Sequence, residues 1–454
     1  MGSLSEVTPL IHDLKVTIHR SSSIFPSCQT NRRSMFLSNI DQVLTFDVDT
    51  IHYFAANPDF PPEAVAQKLE DALGRLLVPY DFLAGRLKFN PQEERLEIDC
   101  NAAGVGFVAA SSELSLEEIG DLVFPNPALR QLIERKYESL GMEEKPLIHF
   151  QVTSFKCGGF ALAMANNHIT FDGLSAKMFL QNLASLAHGN PLSITPYNNR
   201  RLLAARSPPR VTFSHPELVK LELPPTGEGV QPATVFDTGV DDLNFKLFRL
   251  TANDIARMRD KAKIEGASGP AITGFNVVTA HVWRCKVLAT TNSPADPDKL
   301  SRVLYAIDLR SRLQPPLPQS YTGNAILTTY GSAKYSELEE GPFGRLVEVV
   351  REGATRMTEE YARSVIDWGQ LYKGFPRGDV VISSWWKLGF GDVEYPWGRP
   401  IYSCPVMIRS SEIIVLVPDM KKGMGGNGVN VCVGLPSKNM EEFERLFYEF
   451  LASM

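Results

Sequence analysis

The chain has 454 residues, of which 44% are hydrophobic and 22% charged, a composition typical of globular proteins that disfavours disordered and low-complexity classes. Lys and Arg number 46 and Asp and Glu 52, so the formal net charge is −6, whereas a protein that binds nucleic acid usually carries a basic surface. The length predicts two or three domains, and we expect no nucleic-acid partner.

The first part of the chain alternates between strand and helix patterns. Alternating apolar residues and short apolar runs predict strands at 12–20, 43–54, 147–155 and 159–166. Apolar residues at helical spacing predict helices at 62–77 and 174–188.

A proline-rich segment then divides the chain. Between about residues 190 and 235 the prolines recur so closely that neither a helix nor a central strand can form. A connection of this length inside one compact domain would be unusual. We therefore predict an N-terminal domain at 1–190, a crossover linker at 191–235 and a C-terminal domain at 236–454.

The second half repeats the same alternation. Strand patterns lie at 244–250, 305–309, 325–330, 380–383 and 413–417. Helix patterns lie at 251–262, 273–288 and 440–451. The mixture of elements predicts the α/β class in each half, without an exact internal repeat.

The cysteines and the N-terminal residues bear on the cellular compartment. No two of the six cysteines lie within four residues of each other, so the close-spaced zinc patterns are excluded and no disulfide framework is indicated. Residues 1–6 lack the apolar segment of a secretory signal, and no apolar run approaches the length that spans a bilayer. We therefore predict a cytoplasmic protein with no membrane span and no metal.

The residues Asn167 to Gly173 read Asn-His-Ile-Thr-Phe-Asp-Gly and separate a predicted buried strand from a predicted helix. His168 therefore lies on a turn at the end of a rigid strand, where a side chain can reach a cleft. Its imidazole is neutral near pH 7 and suited to accept a proton from a hydroxyl or an amine, which favours a catalytic base over a residue that only ends the strand. Asp172 is expected to fix the turn by pairing with an arginine. None of the other seven histidines has metal-ligand spacing.

Further short motifs follow one another along the chain. They are Leu37-Ser38-Asn39-Ile40-Asp41, Leu83 to Leu87, Cys157-Gly158-Gly159, Arg310-x-Arg312, Pro315 to Pro318 and Tyr321-x-Gly323-Asn324. With the His-x-x-x-Asp-Gly sequence, these motifs make the chain similar to the plant BAHD family of acyl-CoA-dependent acyltransferases, within the chloramphenicol acetyltransferase-like superfamily. The resemblance covers essentially the whole chain.

One motif departs from the family pattern. The family's Asp-Phe-Gly-Trp-Gly stands here as Glu394-Tyr395-Pro396-Trp397-Gly398. The resemblance implies a structural role for this acidic residue, for the tryptophan and glycine of the same segment, and for Gly173. We therefore predict that Glu394 pairs with Arg310 or Arg312.

The resemblance also implies residues that contact the reactants. Ser383 is predicted to donate to the tetrahedral oxyanion, and Trp385 and Thr170 to line the substrate pocket, with strand packing as the alternative for Ser383 and Trp385. Four residues near a glycine-rich loop are candidates for the phosphates of coenzyme A, and a solvated helix face is the alternative. These four are Arg259, Lys261, Lys263 and Ser268.

The fold implied by the resemblance consists of two similar α/β domains, each a mixed sheet with flanking helices, with a solvent channel between them. A monomer is expected, with acyl-CoA as co-substrate, a small-molecule acceptor as partner, and no permanently bound cofactor. His168 would deprotonate the acceptor, which attacks the thioester of a hydroxycinnamoyl-type acyl-CoA.

Three other functions stay open. If the acyl group carries an ortho-hydroxyl, His168 could instead help that phenol close a coumarin lactone, and the segment 394–398 is similar to the coumarin synthase branch of the family. A catalytically silent scaffold that supports lipid elongation is disfavoured by the presence of His168 and Asp172. A condensation domain of peptide synthesis is disfavoured because its motif has two adjacent histidines, and the first position here is Asn167.

Overall fold

The computed structural model describes residues 11–123, 126–221, 243–267, 272–291, 296–406, 410–419 and 428–454. The strands in these ranges are β1 (Val16–Ile24), β2 (Arg33–Phe36), β3 (Asp47–Phe54), β4 (Arg86–Asn90), β5 (Arg95–Cys100), β6 (Val105–Ser112), β7 (Ile148–Ser154), β8 (Phe160–Asn167), β9 (Leu218–Lys220), β10 (Asn244–Leu250), β11 (Leu300–Asp308), β12 (Ile326–Lys334), β13 (Gly374–Pro376), β14 (Val380–Ser384), β15 (Tyr402–Pro405), β16 (Ile413–Pro418) and β17 (Val429–Leu435). The helices are α1 (Pro62–Leu76), α2 (Leu116–Ile119), α3 (Gly173–Ala187), α4 (Ala252–Ile264), α5 (Gly274–Thr290), α6 (Tyr335–Glu339), α7 (Phe343–Arg356), α8 (Glu359–Leu371) and α9 (Ser437–Ala452).

The first sheet has six strands in the order β1-β6-β7-β8-β3-β15, and only its β6–β7 pair is parallel. Helix α1 begins with Pro62 at a position where the missing N–H costs nothing. Leu73 of α1 and Phe179 of α3 share a buried core with Phe150 of β7. These two helices therefore cover one face of the sheet, and α3 is fixed directly after the strand that leads to His168.

The second sheet also has six strands, in the order β10-β17-β16-β14-β11-β12, with parallel pairs at β11–β14 and β14–β16. Helix α5 begins at Thr273, whose side chain accepts from the backbone N–H of Asn276. Trp283 of α5 and Phe443 of α9 are buried in one core with Val431 of β17. Two mixed sheets with flanking helices confirm the predicted α/β class.

Two strand pairs cross the predicted domain boundaries. Strand β15 comes from the range predicted as the C-terminal domain, yet it pairs antiparallel with β3 and forms the edge of the first sheet, with Tyr402 opposite Tyr53. Similarly, β9 from the predicted crossover pairs with β13. The boundaries at 190 and 236 do not anticipate these pairings, because the partner strands are far apart in the sequence. Residues 222–235 of the predicted crossover lie outside the described residues.

A cavity of about 260 Å³ lies at the interface between the two sheets. Tyr402 and Cys404 line it from β15, and Val417 and Cys432 line it from the second sheet. The cavity occupies the interface at which the resemblance expects a channel.

The described part of the chain contains neither a membrane-spanning helix nor a cluster of metal-binding side chains. None of its helices is both long enough and apolar enough to cross a bilayer. Among the same residues, no group of three or more His, Cys, Asp and Glu side chains is arranged to hold a metal ion.

Candidate active site

His168 lies on the turn that connects β8 to α3. Its backbone N–H donates to the carbonyl of Phe46 at 2.8 Å, and the centroids of the two rings are 5.2 Å apart. The residue is half-buried, and its Nδ1 atom is enclosed by the protein. The other ring nitrogen, Nε2, is therefore the one that can meet a reacting group.

The surroundings of His168 keep its imidazole neutral. Burial lowers the pKa of His168 below its ordinary value of 6.5. Its own backbone carbonyl, the charges of Asp172 and Asp41 and the side chain of Asn324 favour the protonated ring, but they do not cancel the effect of burial. A neutral imidazole with one accessible nitrogen can accept a proton near pH 7.

Four of the other histidines are buried in the described part of the chain, namely His52, His149, His215 and His281. Burial lowers the pKa of His52 and of His149 to about 4 and that of His281 to about 3. The ring of His52 bonds to Ser403 and that of His149 to the carbonyl of Glu134. These side chains are buried inside the protein.

The carboxylate of Asp172 is buried, and four hydrogen bonds hold it away from proton transfer. One oxygen accepts from the backbone N–H of Ser175 at 2.9 Å, which caps the start of α3. Arg310 reaches both oxygens with two N–H groups at 3.0 Å each, and the backbone N–H of Ala325 donates at 2.9 Å. Arg310 donates in addition to Ser175. Asp172 therefore fixes the turn and ties it to the second half of the chain.

Gly173 allows a close approach between the two halves. A Cβ atom at this position would lie 2.7 Å from Cδ1 of Leu388. Leu388 belongs to the segment that follows β14, and its side chain packs against the first core. The absence of a side chain at Gly173 thus brings this segment of the second half next to the start of α3.

The same segment carries Ser383 and Trp385. Ser383 lies near the end of β14, opposite Val415 of β16. Trp385 donates its backbone N–H to Leu416 at 2.7 Å, and its ring packs on Phe390 with the centroids 5.4 Å apart. Since Trp385 contacts both the first core and the inner face of the second sheet, it lies between the two halves.

Thr170 is a residue that the resemblance predicts to line the substrate pocket. Its side chain is fully buried, and its hydroxyl donates to the carbonyl of Asn167 at 2.7 Å. The hydrogen bond is made inside the turn that bears His168, so the hydroxyl stabilises this turn.

The predicted ion pair of Glu394 with Arg310 or Arg312 is wrong. Glu394 pairs with Arg399, five residues away, and both side chains are exposed. Arg310 is bound to Asp172 and Asp308, and Arg312 donates to the carbonyls of Ala354 and Met357 near the end of α7. The physical reason is proximity, because Arg399 is close to Glu394 along the chain and both side chains meet at the surface.

The rest of the segment 394–398 is nevertheless anchored. Tyr395 and Gly398 exchange two backbone hydrogen bonds, and the φ of 115° at Gly398 suits only glycine. The side chains of Tyr395 and Trp397 stack on each other at 5.2 Å and are buried against Phe54 of β3. Aromatic packing into the first core, and no ion pair, therefore holds this segment.

Substitution of Glu394 with glutamine is expected to change stability by no more than about 0.5 kcal/mol, because exposed ion pairs contribute little. The rate per folded molecule should also be unchanged. Urea unfolding of the wild type and of Glu394→Gln, with Trp397→Leu as the variant expected to lose stability, checks this. A large loss of stability in Glu394→Gln would instead support the ion pair with Arg310 or Arg312 that the sequence predicts.

The candidate residues for coenzyme A phosphates lie in different environments. Lys261 pairs with Glu265 at 2.9 Å and Lys263 with Asp260 at 3.2 Å, so both charges are neutralised on α4 itself. Arg259 points towards the start of α5, where its Nη2 atom and the ring of Trp386 lie about 3 Å from the position of a Cβ on Gly274. Ser268 lies outside the described residues.

Three residues that support the turn were not singled out as site residues from the sequence. Asp41, Arg200 and Asn324 are buried, and they contact one another or the carbonyls of the turn. Asp41 and Asn324 lie in motifs on which the family resemblance rests, so these motifs could have identified them as site residues. Arg200 lies in the proline-rich crossover, where no sequence pattern marks it.

The chain is similar to known proteins over nearly its whole length. A protein-family model described as the Transferase family matches residues 14–450. Acyltransferase GLAUCE of Arabidopsis thaliana is 52% identical over 457 residues, which are 99% of this chain and 100% of that protein. Omega-hydroxypalmitate O-feruloyl transferase of the same plant is 32% identical over 442 residues, which are 96% of this chain and 93% of that protein. Among solved structures, vinorine synthase shares the fold with a TM-score of 0.72 at 23% identity, over 94% of this chain and 96% of that one.

Proposed function

Because the chain belongs to the Transferase family of plant BAHD acyltransferases, which use acyl-CoA as co-substrate, we propose that it transfers a hydroxycinnamoyl group from coenzyme A to a hydroxyl or amine acceptor. The observation that carries the proposal is the neutral His168 on a turn fixed by Asp172 and Arg310. The similarity to a protein named as a feruloyl transferase supports the choice of acyl group.

In the proposed reaction, Nε2 of His168 takes the proton of the acceptor as the acceptor oxygen or nitrogen attacks the thioester carbonyl. The carbonyl oxygen becomes an oxyanion, for which we propose the hydroxyl of Ser383 as donor. When the intermediate collapses, the C–S bond breaks, and the proton held by His168 goes to the leaving thiolate of coenzyme A. Asp172 takes no proton, because its oxygens are committed to Arg310, Ser175 and Ala325.

Arg259 is the residue proposed to meet the phosphates of coenzyme A. Its Nε atom is buried without a hydrogen-bond partner in the described part of the chain. It also lies beside Trp386, which follows Trp385 in the segment that reaches the start of α3. Lys261 and Lys263 are weaker candidates, because Glu265 and Asp260 already neutralise them.

A second candidate reaction uses the same base on a different proton. In an acyl-CoA with an ortho-hydroxyl group and a cis double bond, His168 would deprotonate the phenol, whose oxygen then attacks its own thioester carbonyl. The C–S bond breaks, the lactone closes, and coenzyme A leaves as the thiol with the proton that His168 held. The variant segment 394–398, with Pro396 in place of the family's glycine, is the observation that favours this reaction.

The two reactions differ in whether they need an acceptor. Purified protein is incubated with a panel of hydroxycinnamoyl-CoA thioesters, with and without an ortho-hydroxyl group, in the absence and in the presence of alcohols and amines. Liquid chromatography with mass detection then identifies the products. Transfer gives an ester or amide only with an acceptor, and lactonisation gives a coumarin without one. If no thioester is consumed under any condition, the silent scaffold is the better account.

The pH dependence of kcat/KM is expected to follow the protonation of His168. Since burial lowers the pKa of His168 below 6.5, the imidazole stays neutral, and the enzyme active, at pH values where a free histidine is already protonated. Activity is then lost as the pH falls through the lowered pKa. Initial rates between pH 4.5 and about 8 should give a half-maximum below pH 6.5. A half-maximum clearly above that value would contradict a buried imidazole as the base.

A further inference from the structure

We propose that Asp41 and Arg200 form a buried ion pair whose function is to position the backbone of the turn that carries His168, so that both act as positioning residues in the reaction. The inference rests on the proposed role of His168 as the base. It assigns a function in the reaction to the first part of the crossover, which contributes Arg200.

Three successive carbonyl groups of the turn accept hydrogen bonds from this arrangement. Asn324 donates from Nδ2 to the carbonyl of His168 at 2.8 Å. Arg200 donates from Nη1 to the carbonyl of Ile169 at 3.3 Å and from Nη2 to that of Thr170. The backbone from 168 to 170 is therefore held from outside, and its carbonyls are not left unpaired in the interior.

Asp41 anchors both donors. Its Oδ1 atom accepts from Nη1 of Arg200 at 2.8 Å and from Nδ2 of Asn324 at 2.9 Å. Its Oδ2 atom accepts from the backbone N–H and the hydroxyl of Ser38, at 2.7 and 2.8 Å. The side chains of Asp41 and Arg200 are both fully buried, and a buried carboxylate with these partners keeps the guanidinium in one orientation.

Close packing fixes the guanidinium of Arg200 on its remaining sides. It lies over the ring of Phe82, 5.5 Å from the centroid. A Cβ atom on Gly323 would lie 2.6 Å from Nε of Arg200, so only glycine leaves room for it. Because Arg200 cannot move away from the turn, its two donors define where the carbonyls of Ile169 and Thr170 lie.

This arrangement is separate from the one made by Asp172. Asp172 and Arg310 hold the far end of the turn, at the start of α3, whereas Asp41 and Arg200 hold the carbonyls next to His168. The two arrangements meet in the segment 323–325, where Asn324 donates to Asp41 and the backbone N–H of Ala325 donates to Asp172. Loosening the near end should misplace the imidazole while the binding surfaces for the substrates stay intact.

The test separates turnover from binding and from folding. Arg200→Lys keeps the charge, but one ammonium group cannot reproduce the planar fork that reaches Asp41 and two carbonyls. We expect kcat per folded molecule to fall on the order of 10- to 100-fold, with KM changed by less than about threefold. Arg201→Lys is the matched control, because the neighbouring Arg201 is exposed and its guanidinium lies 4.6 Å from the ring centroid of Phe36, away from the turn.

A second variant protects the test against simple unfolding. Asp41→Asn combined with Arg200→Gln removes both charges together, so no uncompensated charge is buried. This double variant should remain folded in thermal unfolding and still show the low kcat. Wild-type kcat in either Arg200→Lys or the folded double variant would overturn the positioning role. A rise in KM alone would also overturn it, because it would indicate a substrate contact. Failure of the proposed function is distinguished by His168→Ala, which would then keep the wild-type rate.

Discussion

Replacement of His168 with alanine is expected to leave a folded protein whose chemical step is slower by on the order of 10² to 10⁴. The fold should survive because the turn is held by its carbonyl groups and by Asp172, none of which is removed. The lost ring packs only beside Phe46 among the aromatic contacts of the described residues. Circular dichroism and thermal unfolding check the fold, and single-turnover consumption of a hydroxycinnamoyl-CoA checks the rate.

His188→Ala is the matched control for this variant. His188 is exposed at the end of α3, where its backbone N–H donates to the carbonyl of Ala184. It should therefore keep the wild-type rate. If His168→Ala turned over at the wild-type rate as well, the base would have to be another group.

Asp172→Asn is expected to lower the free energy of unfolding by about 3 kcal/mol, near the lower end for breaking a buried ion pair from one side. The lower end applies because Arg310 keeps its second partner, Asp308, at 2.8 Å. Asparagine can still cap α3 with its one oxygen, so the loss reports the bonds from Arg310 and from the backbone N–H of Ala325 to the other oxygen. Urea unfolding of the variant and of the wild type measures it.

Asp308→Asn is the control, since it removes the more exposed partner of the same arginine. Its effect on stability should be clearly smaller. Full stability in Asp172→Asn, together with a displaced pH–rate profile, would mean that Asp172 titrates during the reaction. The structural role would then be abandoned.

The strand–turn–helix around His168 is predictable because all of its signals are local. The apolar run of β8, the capping residue Asp172 and the apolar spacing of α3 lie within about thirty residues. The pairing of Asp172 with an arginine also follows from the sequence, since a buried carboxylate needs a partner. The sequence did not identify that arginine, since Arg310 is there assigned to Glu394.

Other parts of the molecule depend on partners that the sequence does not bring together. Arg200 meets Asp41 across 159 positions, and the proline-rich surroundings of Arg200 suggest only a linker. Strand β15 is four residues long and is stabilised by β3, from which it is separated by most of the chain. Helices α7 and α8 are not among the predicted helices, although both are amphipathic, with Leu346 and Tyr361 among their buried residues.

The error at Glu394 has the opposite origin. A distant pair with Arg310 was expected by analogy with the family, although Arg399 stands only five residues away. Arg399 meets Glu394 at the surface, where the pair forms without the burial of either charge that a pair with Arg310 would require. The stacked pair of Tyr395 and Trp397 takes over the anchoring.

The most direct test of the account is a single-turnover reaction in which the protein is in excess over a hydroxycinnamoyl-CoA and an alcohol or amine acceptor is present. Free coenzyme A and acylated product are followed together, for the wild type and for His168→Ala. We expect the wild type to release one coenzyme A for each ester, amide or lactone formed, and His168→Ala to form these products at a rate lower by on the order of 10² or more. Equal rates in the two proteins, or release of coenzyme A without an acylated or lactone product, would contradict it.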